Sequence, residues 1–511
     1  MEAERAIVIG AGVGGLAAAI DLASRGLDVT VLERATAPGG KLRQVSVCDT
    51  RMDAGPTVFT LRPVFEELFA DAGFALGDFL SLAPLETLAR HAWMDGGRLD
   101  LMADPVATEA AIGAFAGAAE ARRFRAFSLR AGSIYQTLER TFIRNARPNP
   151  FELTRRVGWH RINALWGISP FFTLWGALGR HFQDPRLRQL FGRYATYCGS
   201  SPFQAPATLM LVAHVEREGV WTVEGGMHRL AGAMADLAAR CGARLRYDAE
   251  VERVTTAAGR VSGVRLASGE RLEADVIIVN ADAAALAAGM LGDDVTGGLR
   301  PTPRRQRSLS AITWNLLANC EGFPLSHHNV FFSRDYAAEF REILQLGRPP
   351  TEPTVYICAQ DRHPGAEITG PERLLCLINA PPNGDAVTMS DSEIEQCQER
   401  TLAVLRACGL KLELQPERRL VTTPAHFHGL FPGTGGALYG AASHGWTASF
   451  RRPGARSRIP GLYLAGGSTH PGPGLPMATL SGRLAAQQVV ADLTSARRSR
   501  TVAMPGGTST R

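Results

Sequence analysis

Residues Arg5–Glu33 read RAIVIGAGVGGLAAAIDLASRGLDVTVLE, and the spacing of their glycines decides the fold. Arg5 to Ile9 is a short β-branched run ending in glycine. A small-residue stretch from about Gly14 to Ser24 follows, stopped by Gly26, and Asp28 to Leu32 is a second apolar strand that delivers Glu33. Strand, turn, helix, strand and acid make the βαβ unit that binds a dinucleotide. Gly10 permits the tight turn, Gly12 lets backbone approach a pyrophosphate, and Gly15 lets the helix close on the strand. The phosphates then meet the free amides of the helix N-terminus. Glu33 can accept hydrogen bonds from ribose hydroxyls, and its charge disfavours a 2′-phosphate. A bare G-x-G-x-x-G also occurs as an ordinary glycine-rich turn, but here strand, helix and acid all fall where the nucleotide reading needs them.

The rest of the chain narrows the class. At 511 residues it divides into more than one domain, and 45% hydrophobic with 20% charged residues describes an ordered globular protein. The apolar run Ala6 to Ile20 follows Glu2 and Glu4 and has only Arg5 as a basic head, so it reads as folded structure and not as a signal peptide. The formal charge is +6, carried almost wholly by arginine, since only Lys41 and Lys411 are lysines. Apart from the terminal Arg497, Arg498 and Arg500 there is no basic cluster, and none with interleaved aromatics, so no nucleic-acid partner is expected. The eight cysteines are scattered without a C-x-x-C pair and read as free thiols. His426 and His428 stand at i, i+2 with no cysteine or carboxylate beside them, and no metal is expected.

An NAD enzyme would need only the first unit, whereas this chain continues with Pro38, Gly39, Gly40, Lys41 and then Asp53, Ala54, Gly55, Pro56, Thr57. These residues resemble the flavin amine oxidase and phytoene desaturase superfamily, in which a Gly-Gly-Arg/Lys turn and a Gly-Pro stretch line the diphosphate and flavin of FAD. Lys41 replaces the more usual arginine, keeping charge but losing the bidentate fork. Two further segments carry the likeness: VEGGMHRL at Val223–Leu230 leading to ADVIIVNA at Ala274–Ala281, and GLYLAGGSTHPGPGL at Gly461–Leu475. The last closely resembles the signature of bacterial-type carotenoid desaturases, T-H-P-G-x-G included, although Pro473 stands where small residues are commoner. The whole chain most resembles the 1-hydroxycarotenoid branch of that family, the hydroxyneurosporene or methoxyneurosporene 3,4-desaturases of purple photosynthetic bacteria.

The resemblance implies an α/β fold with an α+β substrate region. Its core is a Rossmann-like FAD-binding domain of the glutathione-reductase/amine-oxidase type, discontinuous over residues 1–60, 220–285 and 425–495. Residues 61–219 and 286–424 form the inserted substrate domain, lid and helical membrane-contact region, and 496–511 a disordered tail. It assigns non-covalent FAD to Gly10, Gly12, Gly14, Gly15, Glu33 and Arg34, to Gly40 and Lys41, and to Gly55, Pro56 and Thr57. Later in the chain it adds the Val251 backbone beside the adenine, Ala281, then Gly466, Gly467 and Met477 by the flavin ring. His470 is a loop-shaping residue on this reading, and no catalytic residue is assigned.

From Ile162 to Gly179 there is no charge, with Trp166, Phe171, Phe172 and Trp175 among the apolar residues and Arg161 and Arg180 on the flanks. Asn163, Ser169, Pro170 and three glycines argue against a spanning helix. An interfacial segment or a buried helical hairpin both fit. The expected partners are a hydrophobic carotenoid, the cytoplasmic side of a membrane and an electron acceptor, oxygen or a quinone. Removing hydrogens from an alkyl chain starts with no acidic proton, so no acid–base pair is expected. Arg144, Arg147 and Glu152 read as surface residues. Alternatives that stay open are a phytoene desaturase forming several double bonds, an oxidase of polar amines, and a carotenoid-binding flavoprotein without activity.

Overall fold

The computed structural model describes residues 4–157, 171–363 and 365–502, with side chains through Ala496. The first sheet is five-stranded and parallel, in the order Leu462–Leu464, Val276–Val279, Arg5–Ile9, Asp28–Leu32, Arg244–Arg246. Its central strands are apolar runs buried on both faces, which suits a parallel sheet, while Arg244–Arg246 is a polar edge strand. Val276–Val279 and Leu462–Leu464 have no exposed residue at all. Distant parts of the chain therefore build one sheet, and its strand ends bring the glycine turn, Asn280 and Gly466 together. The helix Val13–Ala23 packs between this sheet and the last helix, every one of its residues buried, which only a small-residue sequence permits. The stretch Ala243 to Val254 splits: Arg244–Arg246 joins the parallel sheet, while Val251–Ala257 opens a three-stranded antiparallel sheet with Arg260–Leu266 and Arg271–Glu273.

The second large sheet has eight strands. Seven run in the order Lys411–Glu413, Ser310–Glu321, Glu372–Ala380, Val355–Ala359, His328–Phe332, Thr87–Trp93, Arg98–Met102, and Arg419–Thr422 pairs with Ser310–Glu321. Period-two alternation splits its central strands between two apolar clusters. Phe331, Val355, Ile357 and Cys376 face one way, and Val330, Phe332 and Tyr356 face the other. The second face is covered by helices that include Ala118–Leu138, Leu174–His181 and Pro185–Gly192. Asp184 starts the last of these by accepting from the Arg186 amide, with Pro185 in the first turn.

One expectation changes here. The final helix runs Leu475–Val502, so the tail expected from residue 496 is helical through Val502. The buried Ala485, Ala486 and Val489 fix its middle, and no glycine or proline interrupts the chain between Gly482 and Pro505. In the uncharged segment, residues 162–170 and with them Trp166 lie outside the described residues. Beyond them Phe171 and Phe172 are exposed, whereas Leu174, Ala177 and Leu178 are core and Trp175 stacks on Phe203. No helix among the described residues is long and apolar enough to cross a membrane.

Candidate flavin site

The glycine turn is a cradle made by backbone contact. A Cβ on Gly15 would sit 2.2 Å from the Gly10 carbonyl oxygen, and one on Gly14 would sit 2.8 Å from Gly466 Cα, so no other residue fits either place. Asn280, at the exit of its strand, seals the join: its Nδ2 donates to the Ala465 carbonyl at 3.2 Å, and its Oδ1 is where a Cβ of Gly12 would fall. The helix Val13–Ala23 begins at Gly12 with no side-chain cap and no acid in its first turn, which leaves its amide dipoles free for phosphate.

Glu33 is buried, its Oε2 accepting from the Ala11 amide at 2.7 Å and its Oε1 from the Ala35 amide at 2.9 Å. It thus braces the turn, and each oxygen keeps a lone pair for a ribose hydroxyl. Arg34 turns away and donates to the Leu430 carbonyl. Gly40 lies against Gly12. The Lys41 ammonium donates to the Leu438 carbonyl at 2.7 Å and pairs with Asp282 at 3.6 Å. Burial pulls its pKa down, and Asp282 opposes that shift. Val251 and half-buried Ala281 share one apolar cluster with Ile7 and Ile9 of the first strand.

Gly55 packs on the Lys41 carbonyl, Pro56 is exposed, and Thr57 turns toward the large sheet, its Oγ1 2.6 Å from Tyr356 Oη. The loop is anchored by Asp53. Its carboxylate accepts from the Met227 and His228 amides at 2.6 and 3.1 Å, while Asn315 and Gln360 hold its backbone at 2.9 Å. Desolvation raises the Asp53 pKa against those bonds.

At the C-terminal loop, buried Arg452 donates to the carbonyls of Tyr439, Gly467 and Ala441 at 2.8–3.0 Å. Thr469 and Ser481 join their hydroxyls at 2.6 Å, and Ser481 accepts from Gly466. His470 Nε2 lies 2.9 Å from the Phe142 carbonyl and 2.8 Å from that of Asn145, so this nitrogen carries the proton. Burial brings its pKa down to about 4. Met477 and Leu480, on the final helix, pack into the apolar cluster that also holds Tyr356 and Phe332. Arg144, Arg147 and Glu152 are structural: Arg144 pairs with Glu67 and Glu139 at 2.6 and 3.0 Å, Arg147 donates to the Phe450 and Arg452 carbonyls, and Glu152 pairs with Arg156.

The structure thus joins the residues of all three motif blocks in one cradle. Sequence reasoning passed over Asn280 and Arg452. The asparagine closing the apolar run Val276–Val279 was a usable signal, because strand ends of a parallel sheet are where ligands bind. Arg452, in an arginine-rich stretch, gave none. His327, His328 and Cys358 also come together, their ligand atoms within 4.8 Å of one another. They are engaged inside the protein: His327 Nδ1 lies 3.0 Å from the Arg362 carbonyl, His328 Nδ1 lies 2.8 Å from Tyr356 Oη, and the Cys358 thiol is 3.6 Å from His327 Nε2.

A glycine cradle, uncapped helix amides and a buried acid for the ribose fit a flavin dinucleotide. Residues 13–490 match the flavin containing amine oxidoreductase family, and the chain belongs to that family. Its cofactor is FAD. A hydroxyneurosporene desaturase of Rubrivivax gelatinosus is 51% identical over 513 residues, covering 100% of this chain and 98% of that one. A second, of Cereibacter sphaeroides, is 46% identical over 495 residues, covering 97% of this chain and 99% of that one. A putrescine oxidase solved with putrescine bound superposes with a TM-score of 0.58 at 16% identity, covering 96% of this chain and 99% of that one, a likeness of fold alone.

Proposed function

We propose that this chain is an FAD-dependent desaturase of an acyclic carotenoid, forming the C-3,4 double bond of 1-hydroxyneurosporene or a related 1-hydroxy or methoxy carotenoid. The observation that carries the reading is the end-to-end likeness to hydroxyneurosporene desaturases at 51% and 46% identity. Bound FAD supplies the two-electron acceptor for hydrogens lost from adjacent carbons. The residues of the chain then hold an unreactive alkyl segment in line and keep water out. The face built from Val330, Phe332, Leu480 and Met477 is suited to that task.

Such a substrate is drawn from lipid, so the protein works peripherally at the cytoplasmic side of a membrane, and oxygen or a membrane quinone takes up the electrons. Exposed Phe171 and Phe172 support the membrane reading. The Phe171 ring packs 5.6 Å from that of exposed Trp446, and Arg180 lies 4.1 Å over the Phe172 ring. Arginine stems beside exposed aromatics fit a headgroup boundary. Liposomes carrying 1-hydroxyneurosporene and the purified protein test the function: the product's absorption shifts to the red as conjugation lengthens. Faster conversion of phytoene to neurosporene or lycopene would leave a carotenoid desaturase but remove the 3,4 assignment.

A further inference from the structure

The helix-covered face of the eight-stranded sheet carries a line of polar groups deep inside the protein. Tyr356 Oη bridges Thr57 Oγ1 and His328 Nδ1, and the line ends at His328 Nε2, which is buried without a hydrogen-bond partner among the described residues. Among the described residues five more side-chain nitrogens share that condition, on His91, Arg188, Arg193, Trp314 and His470, and of these His91 Nε2 and Arg193 Nε bear on this line. His91 and Phe332 stack on the same face, and Val330, paired with His91 across the strands, is also paired with Tyr356. Arg193 is 7% exposed. It donates to Tyr197 Oη at 3.2 Å, and that hydroxyl donates to Glu216 at 2.8 Å, with Tyr194 donating to the other carboxylate oxygen. The positive charge of the guanidinium works against protonation of both imidazoles. Desolvation holds both imidazoles well below their ordinary range, with Arg193 adding to it, so both are neutral at physiological pH.

A buried polar atom left unpaired is costly, and native interiors contain few. His328 Nε2 at the end of this line, with Arg193 Nε also buried and unpaired, therefore makes a receptor for a polar group of a ligand. Its position says which group. Thr57 ends the Gly55–Thr57 stretch of the flavin site, and Tyr356 shares its apolar cluster with Met477 and Leu480 at the other flavin-lining segment. The receptor thus lies beside the reacting end of the site and not at the far end of a long channel. In a C-1 hydroxylated carotenoid only C-2 separates the hydroxyl-bearing carbon from C-3, so the hydroxyl must be held beside the flavin when the 3,4 bond reacts.

Resting on the desaturase reading, we infer that the Thr57–Tyr356–His328 line, with Arg193 beside it, binds the C-1 hydroxyl of the substrate and so selects both the hydroxylated end group and the bond presented for reaction. Neutral His328 Nε2 accepts from the hydroxyl, Nδ1 donates to Tyr356 Oη, Tyr356 donates to Thr57 Oγ1, and Arg193 Nε donates to the hydroxyl oxygen, so every member of this line is satisfied while His91 stays outside it. A hydrocarbon end would bury these groups unpaired. Sites built to bind a hydroxyl reject analogues lacking it far more strongly than apolar pockets discriminate by size.

The test compares the FAD-loaded parent with His328→Phe and Tyr356→Phe, using 1-hydroxyneurosporene and neurosporene. Expected is a roughly ten- to hundredfold fall in kcat/KM for the hydroxylated substrate, with little change for neurosporene. Binding to the dithionite-reduced protein, read from the carotenoid band shift, should weaken for the hydroxylated compound alone. An equal loss on both substrates, or an unchanged preference, would overturn the inference. If His328→Phe loses its flavin spectrum, Tyr356→Phe decides alone. A parent that does not desaturate 1-hydroxyneurosporene at all would sink the functional reading instead, so the two failures are distinguishable.

Discussion

Around the glycine turn, backbone meets backbone: Gly14 touches Gly466, Gly15 touches the Gly10 carbonyl, and a few side chains, Asn280, Glu33 and Ser481, reach into the join. On the helix-covered face of the large sheet the reverse holds, because Thr57, Tyr356 and His328 meet through side chains. The first region has no slack, since an added methyl has nowhere to go. The second has slack of a chemical kind, in unpaired nitrogens that a substrate can satisfy. Cofactor retention should therefore be brittle to volume at the turn and indifferent to polarity on the sheet, while substrate choice should show the opposite pattern.

The largest expected effect is at the turn. Gly15→Ala would drive a Cβ onto the Gly10 carbonyl oxygen, and overpacking of this kind typically costs about 1–3 kcal/mol or more. The purified variant should lack the flavin absorption band. Full flavin content would break the contrast. Next comes Glu33→Ala, which removes a ribose acceptor and also leaves the Ala11 and Ala35 amides without their partner. FAD affinity, measured by titration of the apoprotein, should fall by about 1–3 kcal/mol. Unchanged affinity would end the ribose assignment.

A smaller effect tests the loop between the two regions. His470 has a folded pKa of about 4 against an ordinary 6.5, so the unfolded chain takes up its proton first. Stability from this source is intact above about pH 6.5 and is lost as pH falls toward 4, amounting to about 1 kcal/mol by pH 5.5. Melting temperatures from pH 7.5 to 4.5 should therefore fall less steeply for His470→Asn than for the parent. Parallel curves would mean that this imidazole is not held neutral. The mildest prediction lies at the surface: Phe171→Asp with Phe172→Asp should weaken flotation with liposomes while the flavin spectrum stays intact. Loss of the flavin as well would make the pair part of the core.

The same contrast explains what could be read from the chain. Arg5–Glu33 declared its fold because a nucleotide turn depends on local backbone geometry, and glycine spacing, strand and helix length and a terminal acid are written in consecutive residues. Phe171–Gly179 was harder, since an apolar run suits a lipid boundary and a core equally, and only packing assigned Leu174 and Leu178 to the core and left Phe171 and Phe172 outside. Lys41 was read correctly as a retained charge and incompletely as a phosphate partner, because nothing near it in sequence announces Asp282 or Leu438.

By itself, then, the sequence determined the dinucleotide cradle, the FAD that fills it and the family, all of which rest on short-range patterns of small residues. Only the tertiary structure decided that Asn280 locks the turn, that Arg452 ties the C-terminal loop, and that Thr57, His328 and Tyr356 form one buried line. Those residues are separated along the chain by up to hundreds of positions, and their meeting is fixed by strand register and helix packing, for which no local pattern exists.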